Sequence, residues 1–445
     1  MVANGFTPSG RFAAAVVAAG LSSISLASAD AQQSIAVDTA TAVATLRDVD
    51  AACAADGGSL WGRSLCGRLI LVDPRAQVAI ANRSDSQHRL QAWQGAFVGP
   101  WVDSMGRSNT SIRWDGNAWA TVRLPLPGDR YGRIALVLHE AFHRLQRELE
   151  LSGSSPFSAH LDERDGRYWL RLELRALAAA LTSDEAHARI QARDALLFRA
   201  ERHRLFPAAD TTEPALEIYE GLSEYTGQRL AMTATGESMS RVARYLDEWQ
   251  ATPSYPRSFA YATGPALGFV LDRFDAAWRS KVATRGNLAA LLADAVGAPT
   301  QPIHTQAVAR ASLYGADAIA SAEDAREAAR QARLKAYTAR FVDGPVLIAR
   351  QESLQLLNFD PNNVVVFPPS GTVYPNGTFG SAWGRLTIDS GGVVVSPDFK
   401  SLRLTAPRDT TTRPLRGVGW TLVLNPGWTI RAGQRAGDFE LVPPG

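Results

Sequence analysis

The stretch His139-Glu140-x-x-His143 combines residue types that can bind a metal ion and use it for chemistry. Residues four apart on an α-helix point from one face, so both imidazoles can reach a single ion at about 2.0–2.1 Å from each nitrogen. Glu140 is offset from His139 by about 100° around the helix, which brings its carboxylate beside the open coordination position and keeps it out of the ligand set. The spacing therefore predicts a bound Zn2+, with Glu140 as the general base that takes a proton from metal-activated water.

The segment that carries this stretch, residues 133–146, is apolar over most of its surface, which predicts a helix buried at the centre of a domain. The alternative to a metal site is a pair of core histidines that only form hydrogen bonds. Burying two histidines and a glutamate without a ligand costs several kcal/mol, and this cost favours the metal site.

Two histidines leave a tetrahedral ion one protein ligand short, and no histidine follows His143 at a suitable spacing. We therefore expect a carboxylate from further along the chain. Glu220 and Glu224 are four residues apart on a predicted helix whose other positions are largely apolar, so one can bind the ion while the other supports a ligand. Glu173 is a competing candidate for the third ligand.

Two residues in the same region have simpler explanations than a place in the site. His160 could approach the cleft, but we expect an ordinary hydrogen-bonded loop histidine. Arg175 follows a run of alternating charged and apolar residues, and we expect it to pair with Glu173 or with another acidic residue.

The sequence His139-Glu140-x-x-His143, followed later by Glu220-Gly-Leu-Ser-Glu224-Tyr, resembles the gluzincin group of zinc metallopeptidases, the thermolysin-like and aminopeptidase-like enzymes. The resemblance implies that Glu220 is the third zinc ligand and that Glu224 hydrogen-bonds a ligating histidine. The reverse assignment, with Glu224 as the ligand and Glu220 as its support, remains open. A third match, Tyr261-x-x-Gly264, is similar to the helix start where aminopeptidase-like members carry a tyrosine that stabilises the oxyanion, which implies that role for Tyr261. A packed aromatic side chain is the alternative for Tyr261.

The resemblance covers about residues 110–275 and does not extend to exopeptidase specificity. The Gly-Ala-Met-Glu-Asn signature that binds a substrate N-terminus is absent from the sequence. By position, the predicted strand 118–124 corresponds to the edge strand with which such enzymes pair an extended peptide.

The elements around these residues predict an α+β fold, with a mostly helical zincin-like metallopeptidase domain, a small N-terminal strand region and a C-terminal all-β module. The predicted domain lies at 32–341 and the module at 342–445. Strands are expected at 69–73 and 118–124. The alanine-rich, charged segment 321–333 predicts an exposed helix with a solvated face. After residue 133 we expect helices near 167–183, 185–204, 214–231, 238–250, 257–274 and 285–295, and in the module strands at 364–367, 385–388, 392–395 and 419–424.

Residues 1–31 have the pattern of a secretory signal peptide, with Arg11, an apolar stretch and small residues that allow cleavage after Ala29 or Ala31. An uncleaved membrane anchor is the alternative, but the apolar stretch is shorter than the roughly 20 residues that a stable span needs. No later segment has the composition of a membrane span.

Cys53 and Cys66 are the only two cysteines of the chain and stand close together, which predicts one disulfide formed in an oxidising compartment. Together with the signal pattern, the disulfide predicts a periplasmic or secreted protein without a membrane span after signal removal.

Charge and composition exclude some classes of partner. The 445 residues contain 46 Lys and Arg against 44 Asp and Glu, a net charge of +2, so the chain lacks the excess of basic residues that nucleic-acid binding requires. The expected partner is a peptide or protein substrate. The competing interpretation is a non-catalytic binding or scaffold protein of the cell envelope that keeps a metallopeptidase fold. The presence of Glu140 argues against it, and the sequence does not indicate the substrate or the oligomeric state.

Overall fold

The computed structural model describes residues 37–151, 153–298, 304–360 and 363–444. The predicted signal peptide and its cleavage sites lie outside these residues. The predicted α+β class is confirmed, because a mostly helical region follows an N-terminal sheet and the C-terminal part is rich in strands. Within the described ranges, no helix combines the length and the apolar character needed to cross a membrane.

The helices and strands are numbered in chain order. Helices α1 to α12 span Thr39–Asp56, Arg130–Gln146, Arg164–Thr182, Glu185–Leu205, Ala209–Leu216, Leu222–Thr235, Met239–Trp249, Ala260–Phe274, Trp278–Arg285, Leu288–Val296, His304–Ala311 and Ala316–Thr338. Strands β1 to β18 span Arg68–Asp73, Val78–Ala81, Gln91–Trp93, Ala96–Pro100, Thr110–Trp114, Asn117–Arg123, Val346–Arg350, Gln355–Asn358, Val365–Phe367, Gly371–Tyr374, Gly377–Ser381, Gly384–Ile388, Val393–Val395, Ser401–Thr405, Leu415–Gly417, Trp420–Leu424, Thr429–Ala432 and Phe439–Val442. A π-helical turn, Glu217–Gly221, joins α5 directly to α6.

The N-terminal sheet has the strand order β3-β4-β2-β1-β6-β5 and lies before α2, the helix that carries His139 and His143. Strand β6 was expected at the edge, and this prediction is wrong, because β6 pairs with β1 on one side and with β5 on the other. The reason is a tight hairpin between β5 and β6, in which Asp115 and Gly116 both have positive φ. Such a turn adds a further strand outside β6, so β5 is the edge strand.

Helix α1 was not expected from the sequence, nor were α9 and α11. The side chain of Asp38 caps the start of α1 by accepting a hydrogen bond from the Thr41 backbone N–H, and Gly57 ends the helix in the left-handed conformation. Cys53 near the end of α1 is joined to Cys66 by the disulfide that the sequence predicts. The disulfide therefore ties α1 to the segment that leads into β1.

The prediction of an exposed helix over the segment 321–333 is confirmed, because most of its residues are exposed, but the expectation that its charged face is wholly solvated is wrong. This segment belongs to α12, where Glu323 is fully buried and accepts hydrogen bonds from Arg167 at 2.6 Å and Arg171 at 2.9 Å, both on α3. Arg326 donates to the carbonyl oxygens of Gln250 and Thr252. The charges of α12 thus hold it against the helical region.

The C-terminal part contains two sheets, one ordered β17-β18-β7-β14-β13-β10-β9 and the other β15-β16-β12-β11-β8. Strands β9, β12, β13 and β16 coincide closely with the four strands expected from the sequence. The predicted boundary at 341/342 falls inside a second π-helical turn, Ala339–Asp343, which ends the α12 segment. From this turn Phe341 packs against Phe367, Val373 and Val394, so the strand-rich part shares a small core with the end of α12.

Candidate metal centre

Three side-chain atoms on two helical segments form a nearly equilateral triangle. The Nε2 atoms of His139 and His143 on α2 are 3.1 Å apart, and Oε2 of Glu220 lies 3.3 Å from the first and 3.4 Å from the second. A tetrahedral zinc ion with bonds of about 2.0–2.1 Å requires its donor atoms to be about 3.3–3.4 Å apart. The two imidazoles and the carboxylate therefore fit a zinc ion in donor type and in spacing, and they are the one group of this kind among the described residues.

A close crossing of two helical segments positions Glu220. Gly221 in the π-helical turn meets Gly264 of α8 so closely that a Cβ on Gly264 would lie 2.2 Å from the Gly221 Cα. This approach places Tyr261, one turn earlier on α8, beside the ligand set. Its hydroxyl donates to Glu220 Oε2 at 2.9 Å, and its ring stacks on the His139 ring with centroids 5.6 Å apart. The sequences Glu220-Gly221 and Tyr261-x-x-Gly264 are thus the two halves of one helix crossing.

The π-helical turn sends two glutamates in different directions. Residues three apart in a regular α-helix lie near the same face, whereas the wider π-helical turn changes that relation. Glu217 accepts two hydrogen bonds from Arg199, at 2.9 and 2.6 Å, and a third from Thr263 Oγ1 at 2.5 Å. Glu220 faces the two histidines. The turn therefore lets one segment serve an ion pair on one side and the metal centre on the other.

The histidine Nδ1 atoms have partners outside the triangle. Nδ1 of His139 donates to Glu224 Oε2 at 2.9 Å, and the other oxygen of Glu224 accepts from Gln228 Nε2 at 2.8 Å. With Nδ1 acting as donor, Nε2 of the neutral ring keeps its lone pair for a metal. Glu220 and Glu224 thus lie where the first of the two assignments requires them.

Gln146 supports the second histidine and the π-helical turn together. Its Oε1 accepts from His143 Nδ1 at 2.7 Å, while its Nε2 donates to the carbonyl oxygens of Ile218 and Tyr219 at 3.1 and 2.7 Å. Its side chain is almost fully buried. One amide therefore fixes the His143 ring relative to the turn that carries Glu220.

Close packing of α6 on α2 sets the spacing between their side chains. A Cβ on Gly227 would lie 2.2 Å from the Ala135 carbonyl oxygen, so a larger residue would push the helices apart. The distance from Glu224 on α6 to His139 on α2 depends on this contact.

The charges of the site perturb one another strongly. Burial by itself lowers the pKa of His139, but the carboxylates of Glu220 and Glu224 outweigh it and raise that pKa to about 10. Burial raises the pKa of Glu220, and the hydrogen bonds with the two histidines outweigh it and hold the pKa well below its usual value.

Two side chains beside the metal centre, Glu140 and Tyr261, have raised pKa values and so hold a proton more strongly than exposed groups of their type. Burial raises the pKa of Glu140, against the opposing effect of the two histidines, and so makes its carboxylate a stronger proton acceptor than an exposed one. Burial and the charge of Glu220 raise the pKa of Tyr261, which keeps its hydroxyl protonated as a donor.

Glu173 does not belong to the metal centre. Its carboxylate accepts hydrogen bonds from Arg199 at 2.8 Å and Arg202 at 2.7 Å. It is part of a buried cluster, called here the ion-pair cluster, that comprises Glu173, Arg199, Arg202, Glu213 and Glu217.

The sequence predictions for Arg175 and His160, which were not expected to belong to the metal centre, have different outcomes. The expected pairing of Arg175 with an acidic residue is wrong, since its guanidinium donates to the Tyr314 carbonyl at 3.0 Å. The expectation for His160 is confirmed, because it is hydrogen-bonded to Glu213 at 2.7 Å in the short turn Ala159–Asp162.

Sequence reasoning missed several polar residues of the site. Gln146 follows His143 by three positions and Gln228 follows Glu224 by four, the spacings at which helix neighbours meet, so a search for such neighbours would have found both. No comparable signal points to Tyr219, whose ring lies 4.9 Å from the His143 ring, because its position depends on the π-helical turn.

The chain was compared with known proteins in three ways. No protein-family model matches it, and searches of curated proteins and of solved structures also return no match. The chemistry of the site must therefore be argued from its own residues.

Proposed function

We propose that the protein is an exported, gluzincin-type zinc metallopeptidase that hydrolyses peptide bonds with metal-activated water. The observation that carries the proposal is the triangle of His139, His143 and Glu220 donor atoms, whose edges match tetrahedral zinc, with Glu140 buried beside it. The disulfide between Cys53 and Cys66 supports an oxidising compartment. The same geometry supports Glu220 as the third zinc ligand and Glu224 as the hydrogen-bond partner of His139.

His139, His143 and Glu220 would hold Zn2+, and the bound ion would supply a Lewis acid for a peptide carbonyl and lower the pKa of a water molecule to near neutrality. Glu140 takes the proton from water and passes it to the leaving amine, and its raised pKa suits both steps. Tyr261 keeps its proton and donates its hydroxyl to the oxyanion of the transition state. Glu224 and Gln146 hold the two imidazole rings in the orientation and tautomer that bind metal.

Strand β5 is the strand with which we expect an extended substrate to pair. Among the strands that the structure describes it pairs only with β6, so it lies at the edge of the sheet, and β6 leads toward α2 along the chain. An extended peptide can add to such an edge through backbone hydrogen bonds.

The test of the ligands is elemental analysis of protein purified without chelator. Wild type should contain one zinc per chain, and Glu220→Ala should lose most of it, because it removes a donor atom. Glu224→Ala removes no donor atom of the triangle, only the hydrogen bonds with His139 and Gln228, and should retain more zinc. An empty site in Glu224→Ala with a full site in Glu220→Ala would reverse the assignment.

The test of the chemistry is digestion of a broad peptide library by wild type and Glu140→Gln. The variant should keep its zinc and lose about 10²–10⁴-fold in rate, the usual contribution of a general base. Glu148→Gln, at an exposed position just after the same helix, is the matched control and should cleave like wild type. Equal cleavage by wild type and Glu140→Gln would assign the activity to other residues. No cleavage by any of the three, with zinc bound, would favour the binding or scaffold protein.

A further inference from the structure

Tyr219 directly precedes Glu220 in the π-helical turn and lies at the rim of the metal centre. Its ring packs against the His143 ring, with the two centroids 4.9 Å apart and the planes tilted by 43°. Tyr261 lies against the other histidine, with its ring stacked on the imidazole of His139. Each histidine of the triangle therefore has a tyrosine ring beside it, and both tyrosines are half-buried.

The hydroxyls of these two tyrosines differ in their hydrogen bonds. The Tyr261 hydroxyl donates to Glu220 Oε2 at 2.9 Å, so its proton already serves a carboxylate of the triangle. The Tyr219 hydroxyl has no hydrogen-bond partner among the described residues. Tyr219 therefore offers the site a donor that no other side chain of the described ranges uses.

The backbone around Tyr219 is held in place at its carbonyl oxygen and at its Cβ. The carbonyl oxygen accepts hydrogen bonds from Gln146 Nε2 at 2.7 Å and from Ser223 Oγ at 2.9 Å. Gly153 packs so closely that a Cβ on it would lie 2.7 Å from the Tyr219 Cβ. A donor that is positioned before the substrate arrives needs no reorganisation when charge develops on the substrate.

The charges of Glu220 and Glu140 show where the Tyr219 hydroxyl lies. Burial raises the pKa of Tyr219, and these two carboxylates raise it further, so the hydroxyl is within electrostatic reach of both. Glu220 belongs to the ligand triangle, and Glu140 is the general base of the proposed function. A carbonyl that is attacked at this site must lie beside both groups. The Tyr219 hydroxyl therefore borders the place that such a carbonyl would occupy.

We propose that Tyr219 is a further catalytic residue, whose hydroxyl donates a hydrogen bond to the oxygen of the attacked peptide carbonyl as negative charge develops there. This role rests on the proposed function. The proton of the attacking water passes to Glu140 and Tyr219 keeps its own, so the hydroxyl contributes a hydrogen bond and no proton transfer. An oxyanion accepts more than one hydrogen bond, and Tyr219 can therefore act together with Tyr261.

The test compares wild type with Tyr219→Phe, as zinc-loaded full chains, on the peptide that wild type cleaves fastest in a broad library. The substitution keeps the ring against His143 and removes the hydroxyl. The value of kcat should therefore fall about 10²–10³-fold, the usual effect of removing one oxyanion donor, while KM stays the same.

A second measurement does not depend on cleavage. The same peptide with a phosphinic group in place of the cleaved amide mimics the tetrahedral state, and Tyr219→Phe should weaken its binding by a similar factor in calorimetry. Zinc content and the midpoint of denaturant unfolding should stay at the wild-type values. Tyr168→Phe is the matched control and should change none of these quantities, because it removes a half-buried hydroxyl on α3 that also has no partner in the part of the chain that the structure describes.

Equal kcat in Tyr219→Phe and wild type would overturn the role of Tyr219 and leave the peptidase function standing. A raised KM with unchanged kcat, or unchanged binding of the phosphinic peptide, would overturn it as well, since the hydroxyl would not act on the transition state. A rate loss that accompanies lost zinc would assign Tyr219 to the positioning of His143. If zinc-loaded wild type cleaves no peptide, the proposed function fails and the role of Tyr219 fails with it.

Discussion

The metal centre and the ion-pair cluster use opposite sides of one continuous helical segment and balance their charges in different ways. In the ion-pair cluster, Arg199 and Arg202 lie among Glu173, Glu213 and Glu217, with hydrogen bonds of 2.6 to 2.9 Å. The protein itself thus supplies the cations for these buried carboxylates.

The metal centre has three carboxylates, Glu140, Glu220 and Glu224, and no such cations. In the described part of the chain, the ion pairs of these glutamates involve only His139 and His143. In the metal-free protein a proton held by His139 offsets at most one of these negative charges, whereas a divalent cation offsets two. The comparison shows that buried carboxylates alone do not indicate a metal site. A metal site is indicated where the protein places no Lys or Arg side chain beside them.

The largest expected effect would test whether the ion-pair cluster is self-sufficient. Arg202→Met leaves Glu173 and Glu213 without their shared guanidinium and should lower the free energy of unfolding by about 3–5 kcal/mol. Because the cluster supplies its own cations, the loss should be equal with zinc and with a chelator present. Denaturant titrations of both forms measure it. Arg285→Met, which breaks the exposed pair with Asp294, is the control and should cost no more than about 1 kcal/mol.

A loss for Arg202→Met that appears only with zinc bound would mean that the two regions are coupled through Glu217 and the π-helical turn, and the contrast between them would fail.

A smaller expected effect concerns the zinc affinity of the metal centre. Gln146→Leu removes the nearer partner of His143 Nδ1, leaving Ser223 Oγ at 3.3 Å, and also removes the donor to the π-helical turn, so it should weaken zinc binding about 10–100-fold. Competition with a chromophoric chelator measures the affinity. Gln146→Glu keeps an acceptor for His143 but loses the donor, so it should fall between Leu and wild type. Equal affinity in wild type and Gln146→Leu would show that the helix crossing at Gly221 alone positions the ligands.

The sequence predicted the parts of the site that follow from regular helix geometry. The placement of His139, Glu140 and His143 depends only on helical spacing, and the apolar segment around them left no competing structure. Helical spacing alone did not choose between Glu220 and Glu224, because their directions depend on a π-helical turn; only the family resemblance favoured Glu220.

That turn is stabilised by distant residues, which explains why local sequence does not show it. Arg199 and Thr263 hold Glu217 on one side, and Gln146 takes two carbonyl oxygens of the turn on the other. Tertiary contacts also explain the wrong prediction for Glu323, whose charge is buried against α3. The wrong prediction that β6 is the edge strand had a local cause. The sequence Asp115-Gly116 is typical of a hairpin turn, and it could have predicted the additional strand β5.

The last expected effect is a pH dependence that the metal centre should show and the ion-pair cluster should not. In the metal-free protein the carboxylates of Glu220 and Glu224 outweigh burial and raise the pKa of His139 to about 10, so this ring carries a proton at neutral pH. Zinc binds the neutral ring and must displace that proton, and its affinity should therefore fall about tenfold for each pH unit below about 10. Chelator competition between about pH 7 and pH 9 measures the slope.

Without metal, the sign of the effect on stability is opposite. The pKa of His139 is raised from 6.5 in the unfolded chain to about 10 in the folded one, so its protonated form stabilises the fold fully below the lower value. This stabilisation is lost as the pH rises through the upper value. The metal-free protein should become less stable between these two values while its zinc affinity increases, and His139→Gln should remove the trend. A metal-free protein whose stability does not fall over this range would show that the glutamates do not hold a proton on His139.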